Sequence, residues 1–277
     1  MSGHALTSNA AIAARRALLA GLGGGEPLEA GFDDVLALGA SESLLDVGCG
    51  DGAYIVGLRA AGHVGRLVGI DIEPELVAAA RDRAADVGGS AGPARDAEVA
   101  DTLVPRRSIE FDTADAAHLP FPDASFDAVT TRYVIDHLSD PGAAVAEVRR
   151  VIGPGGRLVR IANGEGHLAE FWNLVPSLAP MAGPPLETRF VELAARSFDS
   201  VTVSYLSRVV TLPDATVAVA LLDTHRVALR HLADAAWSAA RSDLLSRSRR
   251  APATFPLPVT LRLCVVRADV HARGEGH

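Results

Sequence analysis

Leu44-Leu45-Asp46-Val47-Gly48-Cys49-Gly50-Asp51-Gly52-Ala53 is the stretch on which the reading of this chain turns. Leu44 to Val47 makes a short buried strand, the glycines turn the chain, and Ala53 opens a helix. Gly48 and Gly50 let the backbone bend tightly and meet a ligand with no side chain in the way. The helix start presents free N–H groups to a negative group. Gly48, Gly50 and Ala53 also satisfy the dinucleotide fingerprint, so the loop alone leaves two ligand classes open. Asp46 separates them. A carboxylate at the mouth of a pyrophosphate site repels its ligand, whereas it suits an ammonium or sulfonium centre. Bracing the loop through its own backbone N–H groups is the plainer role for Asp46, and the two roles coexist.

Outward from this loop the chain alternates strands and helices. Expected strands are Leu44–Val47, Arg66–Ile70, Ser108–Phe111, Phe126–Thr130 and Arg157–Ile161. Expected helices are Ala53–Ala61, Glu75–Ala85 and Asp140–Val151, with Ala10–Leu22 and Ala30–Leu38 in front. Gly153-Pro154-Gly155-Gly156 reads as a sharp turn. Beyond Ile161 the rhythm changes: a helix over Glu187–Arg196, a strand over Val201–Val209, a largely helical Val217–Arg247, and a last strand over Val259–Arg267. The pattern predicts an α/β, Rossmann-like, mostly parallel sheet with helices on both faces. One domain spanning 1–277 is expected, with an N-terminal helical segment at 10–38. Residues 89–106, rich in Gly, Ala and charge, read as a surface insertion. Residues 167–183 carry Phe171, Trp172, Leu174, Leu178 and Met181 and read as a lid or substrate wall.

Two further acids follow the same logic as Asp46. Asp71 ends Leu67-Val68-Gly69-Ile70-Asp71 and suits a two-point grip on ribose hydroxyls; a simple helix cap is its structural alternative. Ile72 beside it is placed to pack on an adenine face. Asp115, with Ala116 next to it, follows the third strand and suits an adenine amino group; a turn acid is the alternative. All three acids fall at or just past strand ends, along the one edge where parallel sheets bind ligands. S-adenosylmethionine carries an ammonium, a sulfonium, a ribose and an adenine, and so matches the set.

Composition narrows the partners. The chain has 277 residues, 48% hydrophobic and 5% aromatic, with a formal net charge of −8. Acidic charge and few rings argue against a nucleic-acid partner. Cys49 and Cys264 are the only cysteines. They form neither a disulfide framework nor a structural zinc spacing, so no metal site and a reducing cytoplasm are expected. No secretion signal and no transmembrane segment is expected either. A homo-oligomer is left open.

The stretches LLDVGCGDG (44–52), LVGID (67–71), DAAHLPFPDASF (115–126), FDAVTTRYVIDHL (126–138) and VIGPGGRLVRI (151–161) together resemble the class I adenosylmethionine-dependent methyltransferases. The similarity is strongest to the branch of ubiquinone, menaquinone and small-molecule methyltransferases, and covers about residues 40 to 165. It implies a seven-stranded sheet with its last strand antiparallel, and S-adenosyl-L-methionine leaving as S-adenosyl-L-homocysteine. It assigns the glycine-loop role to Gly48 and Gly50, the ribose role to Asp71, the adenine-edge role to Asp115 and Ala116, and the methionyl neighbourhood to Thr131 and Arg132. Two features depart from the family: Asp136-His137 stands where an adjacent histidine pair is common, and the 89–106 insertion is long.

Methyl transfer from a sulfonium is an in-line displacement, so the protein mainly aligns and desolvates the nucleophile. His137, in the loop after the fourth strand, is the candidate general base; tying that loop to backbone is its structural alternative. Arg132 suits the cofactor carboxylate or an acidic acceptor. Tyr133, Asn163, Glu165 and His167 are candidate substrate contacts. The expected acceptor is a small organic molecule, as in a natural-product pathway. A quinone or lipid ring is the second reading, and a non-catalytic cofactor-binding accessory protein the third.

Overall fold

A computed structural model describes residues 8–23, 28–86, 91–92, 109–135, 138–178, 186–226 and 233–272. The strands are β1 (Leu44–Val47), β2 (Leu67–Asp71), β3 (Ala91–Gly92), β4 (Ile109–Thr113), β5 (Phe126–Arg132), β6 (Ile152–Asn163), β7 (Ser200–Leu212) and β8 (Leu257–Asp269). The helices are α1 (Ser8–Gly23), α2 (Ala30–Leu36), α3 (Ala53–Ala60), α4 (Pro74–Asp86), α5 (Pro141–Val151), α6 (Ala169–Trp172), α7 (Leu186–Ser197), α8 (Ala215–Asp223) and α9 (Asp234–Arg250). The sheet order is β3-β4-β2-β1-β5-β6-β8-β7. Pairing is parallel from β3 through β6. Gly156 accepts from the Val270 N–H and Gly164 donates to Arg262, so the partner numbers fall along β8 as they rise along β6: the last strand runs antiparallel. Seven longer strands thus form the expected Rossmann-like sheet, and the two-residue β3 extends it by one at the edge.

Close-packed residues fall into two units. The first comprises 31–163, 184–204 and 264–277; the second comprises 1–30, 164–183 and 205–263. In the first unit, the central strands read as continuous apolar runs because both faces are covered. Leu45, Val47, Val68, Ile70, Val129 and Leu158 join Val145 and Val148 of α5 and Phe190 and Ala194 of α7 in one core. Asp140 caps α5 by accepting from Ala143 N–H at 3.0 Å, with Pro141 at the first helical position. In the second unit, Leu168, Phe171, Val175 and Leu178 pack with Leu221 and Leu222 of α8 and Leu244 of α9. The apolar weight of 167–178 is therefore spent on that unit's own core.

Three local expectations need correction. Gly153–Gly156 lies within β6, where a register irregularity absorbs it: Ile152 pairs with Phe126, and pairing resumes only at Arg157 with Ala128. Helix α2 stops at Leu36, because Ala37 takes a left-handed conformation (φ 47°). The expected helical run from 217 to 247 is two helices, α8 and α9, separated after Asp223. Of the 89–106 segment, only Ala91–Gly92 lies within the described residues.

A candidate cofactor site at the carboxyl edge of the sheet

The parallel registers fix what stands together. Val47 pairs with Ile70 and with Thr131, Asp71 with Thr113, and Arg132 with Ile161. The ends of β1, β2, β4, β5 and β6 therefore share one edge, and Asp46, Asp71, Asp115, Thr131 and Arg132 fall along it. That is the edge at which such sheets bind ligands.

Asp46 is 2% exposed and accepts the Thr130 hydroxyl at 2.7 Å. Burial drives its carboxyl up to about 6, against the Arg132 charge and the Thr130 hydrogen bond, which favour the carboxylate; the nearby Asp71 charge pushes the same way as burial. Arg132 is held over the Tyr54 ring at 4.3 Å and the Phe32 ring at 5.6 Å. Tyr54 is fixed in turn by donating its hydroxyl to Asp33 at 2.7 Å. A buried acid and an aromatic-caged cation thus stand side by side.

The glycine loop behaves differently from expectation in one respect. Gly48 and Cys49 both donate to Ile70 C=O at 2.8 and 2.9 Å, Gly52 donates to Cys49 C=O, and Ala53 donates to Asp51. These N–H groups hold the loop instead of facing a ligand, so the glycines contribute shape. Gly48 (φ 76°) allows no more: an added Cβ would stand 2.1 Å from Val134 Cγ2. At Gly50 (φ 57°) a Cβ would meet nothing within 4 Å, so that side of the loop is open. Asp71 spans loop and helix, accepting from Gly50 N–H at 2.9 Å and Glu73 N–H at 3.0 Å. It braces the loop and the approach to α4, and its two oxygens each retain a second acceptor position.

Ile72 stands 65% exposed beside Asp71, where an apolar side chain is conspicuous. Asp115 is half exposed and accepts from Ala117 N–H at 2.9 Å, which, with His118 close by, lowers its proton affinity. Ala116 is buried in the sheet's core. Thr131 Oγ1 and Arg132 Nε are buried and reach no hydrogen-bond partner among the described residues. Two orphaned polar atoms beside a buried carboxylate fit a ligand that carries both a cation and hydrogen-bonding groups.

The remaining candidates are not all gathered here. His137 and its neighbour Asp136 lie outside the described residues. Tyr133, just after β5, holds a left-handed conformation (φ 61°) and donates its N–H to Ile161. Asn163 ends β6, exposed, in the same unit; Glu165 and His167 belong to the other unit. His167 Nδ1 lies 2.9 Å from Arg262 C=O and 3.1 Å from its N–H. Phe32, Asp33, Tyr54 and Thr130 were missed in the sequence. Only Thr130 had a signal, since it pairs in register with Asp46.

Comparison with known proteins agrees with this geometry. Residues 45–160 match the sequence model of the methyltransferase domain family. A 27-O-demethylrifamycin SV methyltransferase from Amycolatopsis mediterranei is 37% identical over 45% of this chain and 39% of its own length. A demethylmenaquinone methyltransferase from Deinococcus radiodurans is 34% identical over 42% of this chain and 41% of its own. The chain thus spans well under half the length of these relatives. The crystal structure of YcgJ from Bacillus subtilis superposes with a TM-score of 0.55 over 89% of this chain and 99% of that one, at 19% identity, a likeness of fold alone. Over residues 45–160 the chain is thus similar to the class I S-adenosylmethionine-dependent methyltransferases, the demethylmenaquinone methyltransferases among them.

Proposed function

We propose that this chain binds S-adenosyl-L-methionine at the carboxyl edge of its sheet and transfers the methyl group to a small organic acceptor, leaving S-adenosyl-L-homocysteine. The observation that carries the reading is the buried Asp46 carboxylate beside Arg132. A carboxylate held up to about 6 by burial is relieved by a cationic ligand. Asp46 then takes the ligand's ammonium and Arg132 its carboxylate. Thr131 offers its orphaned hydroxyl nearby. Gly48 and Gly50 keep the space clear, Asp71 accepts the ribose hydroxyls, Ile72 covers one adenine face, and Asp115 with Ala116 meets the adenine edge.

The bound cofactor supplies an activated methyl group, so the protein's own work is alignment, exclusion of water and removal of the acceptor's proton. His137 is the base in this reading. Tyr133 and Asn163 contact the acceptor. Among acceptors, a quinone ring in its reduced form is the finer reading, since several relatives are named as menaquinone or ubiquinone methyltransferases. Among the described residues no helix is long and apolar enough to cross a membrane.

The test is transfer of a labelled methyl group by purified protein to reduced demethylmenaquinone, to a metabolite extract, and to bulk RNA and protein. Label in the quinone supports the finer reading. Label only in another small molecule keeps the coarser one, and label only in RNA or protein overturns both. Cofactor uptake with no transfer to any acceptor favours an accessory role.

A further inference from the structure

A cleft of about 450 Å³ lies within the first unit, away from the cofactor edge. Arg149 and Arg150 at the end of α5 line it, with Asp123 and Asp199; Ile152, Pro154 and Val270 give it an apolar wall. Ile152 opens β6 beside Phe126, the first residue of β5. The cleft therefore sits at the amino edge of the sheet. Arg132 stands at the far end of β5, about 20 Å away at ~3.3 Å per residue.

The four charged side chains are not equivalent. Arg150 engages all five of its donors: Glu147 accepts two, and Asp123 and the Leu119 and Phe121 carbonyls accept one each. Its charge is matched and its place is structural. Arg149 donates only Nε, to Ser197 C=O at 3.1 Å, and its guanidinium stands 6.0 Å from the Phe198 ring centroid. Among the described residues its two Nη groups meet no acceptor, so four N–H donors are left to the cleft and to solvent. Asp199 is fixed by the His271 N–H, which donates to one carboxylate oxygen at 2.8 Å, and by its own N–H on Asp269 C=O. It too makes no ion pair among the described residues.

An arginine and an aspartate thus share one cleft without meeting. A lone anion on Arg149 is opposed by Asp199, and a lone cation on Asp199 by Arg149, whereas a ligand carrying both charges satisfies both. The planar Arg149 fork suits a carboxylate at two points. The volume falls in the range of small-molecule sites, and the apolar wall suits an aliphatic body. We propose that this cleft is a second ligand site, taking a small zwitterion of the α-amino acid class: carboxylate on Arg149, ammonium on Asp199, and an aliphatic side chain against Ile152, Pro154 and Val270. The inference goes beyond the proposed function and does not depend on it.

The probe is L-leucine, with 4-methylpentanoate as the same skeleton without the ammonium and 3-methylbutylamine as the same skeleton without the carboxylate. Each is titrated into the full chain and followed through the arginine Nε–H resonances by NMR. Excess S-adenosyl-L-homocysteine is present, because Asp46 and Arg132 also pair an acid with an arginine and must be kept occupied. The expected result is a saturable shift of the Arg149 resonance with L-leucine, and binding about tenfold weaker for each of the other two. Arg149→Gln and Asp199→Asn should each weaken L-leucine by about tenfold. Asp199→Asn should leave 4-methylpentanoate bound no more weakly than in the parent, an outcome that misfolding would not give. An unmoved Arg149 resonance, equal binding of the three probes, or L-leucine affinity unchanged in either variant overturns the proposal. Failure of S-adenosyl-L-homocysteine to bind would count against the proposed function instead, and the variants would still read the cleft.

Discussion

Replacing Asp46 by Asn should raise the stability of the empty protein at neutral pH while removing most of its cofactor affinity. The side chain keeps its size, and its carbonyl can still accept from the Thr130 hydroxyl at the 2.7 Å position. What disappears is a buried negative charge, since Asp46 is only 2% exposed. An ordinary aspartate releases its proton near 3.8, whereas Asp46 retains it to about 6. At about 1.4 kcal/mol for each tenfold change, ionised Asp46 costs the folded state about 3 kcal/mol. The folded state holds this proton more tightly than the unfolded chain, so the contribution is fully present below about 3.8 and is lost as pH rises through about 6. The Asn variant has no such dependence. Urea denaturation of both proteins between pH 4 and pH 8 isolates the effect, because every other titrating group is shared. The stability difference, variant minus parent, should climb by about 2.5 kcal/mol from pH 4, most of it before pH 6, and then level off. Packing or amide-pairing penalties in the variant shift that curve as a whole and leave its shape intact. A difference that stays flat across the range would refute the reasoning.

Other predictions follow from the same geometry. Cofactor affinity, measured by calorimetry, should fall as pH drops below about 6, by up to tenfold per pH unit, because the cation is bound by ionised Asp46. Thr130→Val removes the hydroxyl donor to Asp46 and should weaken cofactor binding at pH 7 by about tenfold, with Asp46 losing its proton at higher pH still. Gly48→Ala combines a left-handed φ with a 2.1 Å approach to Val134 and should cost more than about 2 kcal/mol in thermal unfolding. Gly50→Ala, facing open space, should cost about 1–2 kcal/mol of stability, yet weaken cofactor binding more than its stability loss suggests. Arg157 is 5% exposed, pairs with Glu42 at 2.6 Å and donates to the Leu36 and Ala37 carbonyls. Arg157→Ala should therefore destabilise by about 3–5 kcal/mol, with cofactor affinity unchanged in whatever fraction stays folded.

The parallel sheet was legible because its signals are local. Short apolar runs at regular spacing, each followed by a helix, admit few topologies, and the acids at their ends then share an edge by the geometry of parallel strands. Asp46 declared itself through chemistry, since a lone acid inside an apolar strand demands a reason. The cage around Arg132 was hidden because Phe32 and Asp33 come from α2 and Tyr54 from α3, and only tertiary packing brings them to the end of β5. Gly153–Gly156 misled because glycine and proline punctuate turns as a rule, yet here a strand pairing across a bulge absorbs them. The apolar 167–178 segment was ambiguous for another reason: its apolar weight records burial, and the sequence does not say whether a core or a ligand is on the other side.

Calorimetric titration of S-adenosyl-L-homocysteine and S-adenosyl-L-methionine into the purified chain, run at pH 7.5 and pH 5 on the parent and on Asp46→Asn, tests the central claim most directly. The account predicts one site per chain, both nucleosides bound at pH 7.5 through the ammonium they share, weaker binding of both at pH 5, and in the variant weak binding of both with no such pH dependence. Binding that is indifferent to pH and unchanged by the substitution would contradict it.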